Sequence, residues 1–253
     1  MTKNMEEVKG KNEMKKTQVF NVVILDRSGS MSSIRRAALE GFNETLAGIK
    51  KAQEKYADTQ EHYVSLVSFC SCEMRKVYDK TPVAETRPLT MADYEPCCCT
   101  PLYDAMGFTL TDMHKHVKDM DDATVVVAVI TDGMENDSHE YDARAIKALV
   151  EKLRGEGWSF TYMGTNQDAM VEAGKMSIHN FRQFEDTDEG VRETWASESA
   201  YRARLYDKIE AVNCCCMEAP ISREERRKRY SEVGDEAFEE EEKEEKKKGT
   251  NRY

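Results

Sequence analysis

Leu25-Asp26-Arg27-Ser28-Gly29-Ser30-Met31-Ser32-Ser33-Ile34 is the stretch whose reading decides the fold. The apolar run Val19 to Leu25 delivers a carboxylate and then two hydroxyls spaced two apart, and a helical pattern follows. A strand that runs through a polar turn into a helix places those side chains at the carboxyl edge of a sheet, where open α/β folds gather ligands. Asp26, Ser28 and Ser30 offer only oxygen. That suits a hard cation such as Mg²⁺ or Mn²⁺ and argues against Zn²⁺ or copper, which favour nitrogen and sulfur.

Two later segments complete the set. Cys99-Thr100-Pro101-Leu102-Tyr103-Asp104-Ala105 supplies a threonine in a loop that opens a helix, and Val125 to Ile130 is a second buried strand leading into Thr131-Asp132-Gly133. With D-x-S-x-S at 26 to 30, T-P-L-Y-D-A at 100 to 105 and T-D-G at 131 to 133, the chain resembles the von Willebrand factor A domain with its metal-ion-dependent adhesion site, over roughly residues 17 to 212. It looks closest to small stand-alone bacterial members. Pro96-Cys97-Cys98-Cys99 departs from the small pair that commonly precedes the threonine in relatives. The resemblance implies that Ser28, Ser30 and Thr100 bind the ion by their hydroxyls and that Asp26 and Asp132 bind it directly or through water. It also implies an open coordination position, filled by an acidic side chain of a partner. Cys99, Glu135, Asn136, Asn166 and Asp168 then form the rim that sets partner selectivity. Two carboxylates about 5 Å apart repel by about 3 kcal/mol at an effective dielectric near 20, so a dication offsets a real cost.

Apolar strands alternating with amphipathic helices predict a doubly wound, mostly parallel sheet covered on both faces. Helix one is expected over Ser33 to Tyr56, capped by Ser32 or Ser33, with Ala37, Phe42, Leu46 and Ile49 inward. Tyr63 to Phe69 reads as the second strand and Met74 to Tyr78 as an antiparallel edge strand. Further helices are expected at Leu102 to Val117, Asp142 to Arg154, Asp168 to Ala173 and Asp188 to Val212, with strands at Ser159 to Met163 and Phe181 to Phe184.

At 253 residues, 40 % hydrophobic and 34 % charged, the chain suits one α/β domain with tails. Residues 1 to 16 are a polar leader with no secretory or membrane-spanning run, which makes cytoplasm the expected location. A net charge of −11 disfavours nucleic acid and anionic membrane as partners, both of which need a concentrated basic face. Residues 213 to 253 read as a charged tail, disordered or partly helical.

All eight cysteines lie in three knots, Cys70 with Cys72, Cys97 to Cys99, and Cys214 to Cys216. Reduced thiols are the default, with a thiolate cluster joining Cys70 to Cys97–Cys99 or a redox role as alternatives; no knot has C-x-x-C spacing. Met31, Met106 and Met134 are expected to pack beneath the site loops. The functional expectation is a non-enzymatic, Mg²⁺-dependent (or Mn²⁺-dependent) protein-interaction module that takes an Asp or Glu from a partner. The alternatives are a phosphohydrolase of haloacid dehalogenase type, with Asp26 as nucleophile, and a metal-free structural scaffold. Ser28 stands where that enzyme would carry its second aspartate.

Overall fold

A computed structural model describes residues 16–165, 167–219 and 221–250. In chain order the elements are β1 (Thr17–Asp26), α1 (Arg35–Lys55), β2 (Gln60–Cys70), β3 (Glu73–Pro82), α2 (Leu102–Val117), β4 (Ala123–Thr131), α3 (Ala143–Gly155), β5 (Ser159–Gly164), α4 (Gln167–Lys175), β6 (Phe181–Gln183), α5 (Asp188–Glu218) and α6 (Arg223–Thr250). The six strands form one sheet in the order β3-β2-β1-β4-β5-β6. Every neighbouring pair is parallel except β2 and β3. This is the doubly wound, mostly parallel architecture with one antiparallel edge strand that the sequence predicts.

Strand alternation sorts β1 between two cores. Val19, Val23 and Leu25 join the layer with α1, α5 and α6, while Phe20, Val22 and Ile24 join the layer with α2, α3 and α4. Because both faces are covered, β1 and β4 are apolar almost throughout. Asn21 breaks the pattern. Its side-chain Oδ1 accepts from Arg202 Nη1 (3.1 Å) and Tyr206 OH (2.5 Å), and Arg202 in turn bonds Glu198 at 2.8 Å, so a buried polar knot pins α5 to the central strand.

The strand order reverses between β1 and β4, where Leu25 pairs with Ile130. Asp26 and Thr131 therefore end adjacent strands at the switch point. In place of a serine-capped start, residues Gly29–Ser32 form a short 3₁₀ turn before α1 begins at Arg35. The serines are used otherwise: Ser33 Oγ donates to Asp186 Oδ1 at 2.9 Å. Ala37, Phe42, Leu46 and Ile49 all face inward as expected.

Beyond residue 212, where a charged tail, disordered or partly helical, is expected, the chain continues α5 to Glu218 and returns as α6, a longer helix than expected and one that packs on the domain. Tyr230, Ala237 and Phe238 make a buried stripe at helical spacing on α6. Gly234 lies on the same face, where a Cβ would overlap the Ser159 hydroxyl, so the missing side chain lets α6 close on β5. Arg204 bonds the buried Glu241 at 2.7 Å, and Arg154 bonds Asp235 at 2.9 Å. The acidic and basic residues that suggest a solvated segment occupy the outer face and these edges. No helix among the described residues is long and apolar enough to cross a membrane.

Candidate metal centre

Asp26 is fully buried, and both its oxygens are fixed. Oδ1 accepts from the Ser28 backbone N–H at 2.6 Å, and Oδ2 accepts from the Thr131 hydroxyl at 2.6 Å. The Tyr94 hydroxyl donates to the Asp26 carbonyl at 2.5 Å and holds the strand end from the α1 side. Next to it the Ser28 and Ser30 hydroxyls lie 3.1 Å apart, and Ser30 Oγ donates to Asp132 Oδ1 at 2.7 Å. The turn after β1 and the turn after β4 are thus joined through their own donor atoms.

Thr100 is brought in by the loop before α2. Its N–H donates to Asn136 Oδ1 at 2.8 Å, and Asn136 N–H donates back to the Thr100 carbonyl at 3.2 Å. The convergence is visible at Gly133. A Cβ built there would stand 3.3 Å from Thr100 Oγ1, 3.6 Å from Ser30 Oγ and 3.9 Å from Asp26 Oδ2. Oxygens from two separate segments, the turn after β1 and the loop before α2, therefore surround one small space in front of a glycine on a third.

Electrostatics fit a cation. Burial pushes the Asp26 carboxyl from its ordinary 3.8 up to about 6, with Asp132 adding repulsion and the bonds from Thr131 and Ser28 opposing the rise. Asp132 is also raised, chiefly by burial and further by Asp186, against the Ser30 hydrogen bond. Among the described residues neither Asp26 nor Asp132 has an ion pair; Arg27, between Asp26 and Ser28, bonds Glu73 at 3.0 Å. A pair of carboxylates with converging hydroxyls and no cationic side chain fits a hard dication.

The expected ligand residues Asp26, Ser28, Ser30, Thr100 and Asp132 are gathered at this one edge. The expected rim residues divide. Cys99 is exposed beside Thr100. Glu135 is engaged inside its own loop, accepting from the N–H groups of Tyr103 (3.0 Å), Asp137 (2.9 Å) and Ser138 (2.7 Å), so like Asn136 it braces the Thr100 loop. Asn166 lies outside the described residues, and Asp168 falls in the first turn of α4. Met31 and Met106 are buried as expected, but Met134 is 54 % exposed, because the loop after β4 turns it outward.

Three contributors were missed. Asp104, inside the quoted threonine motif, accepts from the N–H groups of His139 (2.9 Å), Glu140 (2.9 Å) and Tyr141 (2.8 Å) and so ties α2 to the loop after β4. Thr131 orients Asp26, and its place in T-D-G was a usable signal. Asp186, after β6, reaches the site only through the fold.

No protein-family model matches the sequence, and no curated protein is similar to it. Solved structures are similar in fold. Proximal thread matrix protein 1 from the mussel byssus aligns with a TM-score of 0.52 at 12 % identity, over 74 % of this chain and 49 % of that one. A second structure of the mussel protein, with a zinc-occupied MIDAS motif, gives the same TM-score over 48 % of its length. The pilus adhesin SpaC from Lactobacillus rhamnosus GG aligns with a TM-score of 0.53 at 14 % identity, over 76 % of this chain and 31 % of SpaC. The chain spans about half the length of the mussel protein. At these identities the likeness is one of architecture, and the architecture is that of the von Willebrand factor A fold.

Proposed function

We propose that the chain is a metal-dependent protein-interaction module of the von Willebrand factor A type. Asp26, Ser28, Ser30, Thr100 and Asp132 hold Mg²⁺, with Mn²⁺ as a substitute, and the ion takes an Asp or Glu side chain from a partner protein. The observation that carries this reading is the convergence of Thr100, Ser30 and Asp26 oxygens on the space in front of Gly133. When bound, the ion would offset the charge of the buried Asp26 and the partly buried Asp132 and, needing about six oxygens, would accept one more from outside the chain. This chain's residues set the geometry: Asn136, Glu135 and Asp104 fix the Thr100 loop, and Thr131 and Tyr94 fix the end of β1.

The phosphohydrolase alternative is weakened by the state of Asp26. A carboxylate that is fully buried, with one oxygen bonded to Thr131 and the other to Ser28, is poorly placed to attack a phosphate. The mussel structure with a zinc-occupied MIDAS motif and the adhesin SpaC support a divalent ion and an adhesive role by analogy of fold. A bacterial, cytoplasmic setting is part of the same proposal.

The test is affinity capture from a lysate of the source cells, with the native chain and Asp132→Asn as baits. Proteins retained in Mg²⁺, released by EDTA and lost with Asp132→Asn are the expected result. Retention of every Mg²⁺-dependent protein by the variant contradicts the reading.

A further inference from the structure

On the far side of the Asp26 turn, four thiols from two distant segments meet. Cys72 Sγ lies 2.8 Å from Cys98 Sγ, and Cys70 Sγ lies 3.5 Å from Cys97 Sγ. The sulfurs of Cys72, Cys97 and Cys98 all fall within 4.8 Å of one another. All four cysteines are free thiols, and Cys72 and Cys98 are open to solvent. Four thiolates around one tetrahedral zinc, with Zn–S bonds of about 2.3 Å, stand about 3.8 Å apart. The Cys72, Cys97 and Cys98 sulfurs are near that spacing, whereas Cys70 is adjacent only to Cys97 and has to swing toward the other two to complete the set.

The surrounding backbone is built to hold these residues together. The Ser71 N–H donates to the Cys99 carbonyl at 3.1 Å, and the Cys99 N–H donates back to Ser71 Oγ at 3.0 Å, which clamps the β2–β3 turn to the cysteine loop. Cys98 adopts a left-handed conformation with φ 65°, strained for a residue with a Cβ. A cationic group is also present: Arg27 Nη2 lies 3.5 Å from Cys70 Sγ and offsets part of the negative charge that thiolates bring.

We propose that Cys72, Cys97 and Cys98, with Cys70 as the fourth ligand, form a second metal site that takes Zn²⁺. It is chemically separate from the oxygen site, because soft sulfur donors select zinc where hydroxyls and carboxylates select magnesium. Zinc binding displaces the thiol protons, so the site fills as the thiols are deprotonated. The two sites share backbone. The Gly29 N–H donates to the Cys98 carbonyl at 3.0 Å, and the Cys97 N–H donates to the Arg27 carbonyl at 2.8 Å. A zinc ion on the thiols would therefore fix both the loop that delivers Thr100 and the turn that carries Ser28 and Ser30.

The experiment uses the full chain, reduced and kept anaerobic, in excess Mg²⁺ so that the oxygen site does not compete. It is titrated with Co²⁺ and then with Zn²⁺. The expected result is sulfur-to-cobalt charge transfer with tetrahedral d–d bands, saturating at one ion per chain and erased by stoichiometric Zn²⁺. Cys72→Ser combined with Cys98→Ser should weaken binding by more than the roughly 10- to 100-fold that loss of an outer partner costs. Cys214→Ser combined with Cys215→Ser should leave the spectrum unchanged, as should Asp132→Asn. Absence of charge transfer in the native chain overturns the proposal. Bands that survive the first variant and vanish in the second also overturn it, and so does a Cys72–Cys98 disulfide that forms readily in a chain that ignores both metals.

Discussion

Two donor sets stand back to back across the Asp26 turn, and they differ in almost every respect that matters to a cation. On one side, Asp26, Ser30 and Thr100 present oxygens toward Gly133; on the other, Arg27 reaches away to Glu73 and the Cys70 sulfur. The oxygen set is assembled from the ends of two buried parallel strands and the loop before α2, the sulfur set from a hairpin turn and the exposed part of that loop. Successive residues of an extended chain point to opposite sides, so three consecutive residues serve two chemistries without mixing them. On the oxygen side Asp26, Ser28 and Thr100 are buried, whereas on the sulfur side Cys72 and Cys98 are exposed and the loop is held by backbone clamps.

The strongest way to sharpen that contrast is pH. Without metal, Asp26 titrates at about 6 in the folded chain against 3.8 when unfolded. Its folded-state pKa is raised, so the folded state binds the extra proton and loses stability as pH rises from about 4 through about 6. The loss is about 3 kcal/mol at about 1.4 kcal/mol per pH unit. Saturating Mg²⁺ should remove this decline and should stabilise most above about pH 6, where the carboxylate is free to bind. Denaturant unfolding from pH 4 to 7, with and without Mg²⁺, measures it. A flat metal-free profile would mean that Asp26 is not the buried acid described here.

Gly133→Ala comes next. The backbone there is not left-handed, so the methyl acts by volume alone, 3.3 Å from Thr100 Oγ1 and in front of the converging oxygens. It should leave metal-free stability nearly unchanged while removing most of the roughly 2.7 kcal/mol that Mg²⁺ gives at a hundredfold its dissociation constant. An undiminished Mg²⁺ response would place the ion elsewhere. Asp104→Ala should cost about 2 kcal/mol, near the net worth of a hydrogen bond to a charged group. It should also weaken Mg²⁺ binding by releasing the loop after β4. The smallest effect is expected from Cys72→Ser with Cys98→Ser in zinc-free buffer. There the Mg²⁺-induced stabilisation should change by less than about 0.5 kcal/mol, as for surface substitutions away from the ligands. A larger change would show that the two sides are coupled even without zinc.

What could be read from the sequence depended on how contiguous each signal is. Asp26, Ser28 and Ser30 sit within five residues, and Thr100 and Asp132 each belong to a short motif, so the oxygen set was legible along with the strands that carry it. Asp186 was not, because only the fold brings the end of β6 to Asp132. The cysteine knots were legible as knots, but their meeting depends on the β2–β3 hairpin folding back over the loop before Thr100. Helix α6 was hidden by composition. Its buried stripe of Tyr230, Ala237 and Phe238 is diluted among acidic and basic residues, and Gly234 contributes through a side chain it lacks. The knot of Asn21, Arg202 and Glu198 joins residues more than a hundred positions apart, and no local pattern announces it.

The central claim is that five oxygen-bearing side chains form a divalent-metal site, and thermal unfolding of the native chain and of Asp26→Ala, in EDTA and then in millimolar Mg²⁺, tests it most directly. At about 2 to 4 °C per kcal/mol for a domain of this size, the native chain should melt several degrees higher in Mg²⁺, and the variant should show no difference between the two buffers. An equal rise in both proteins, or no rise in the native chain at Mg²⁺ concentrations that saturate hard-cation sites, would contradict the account.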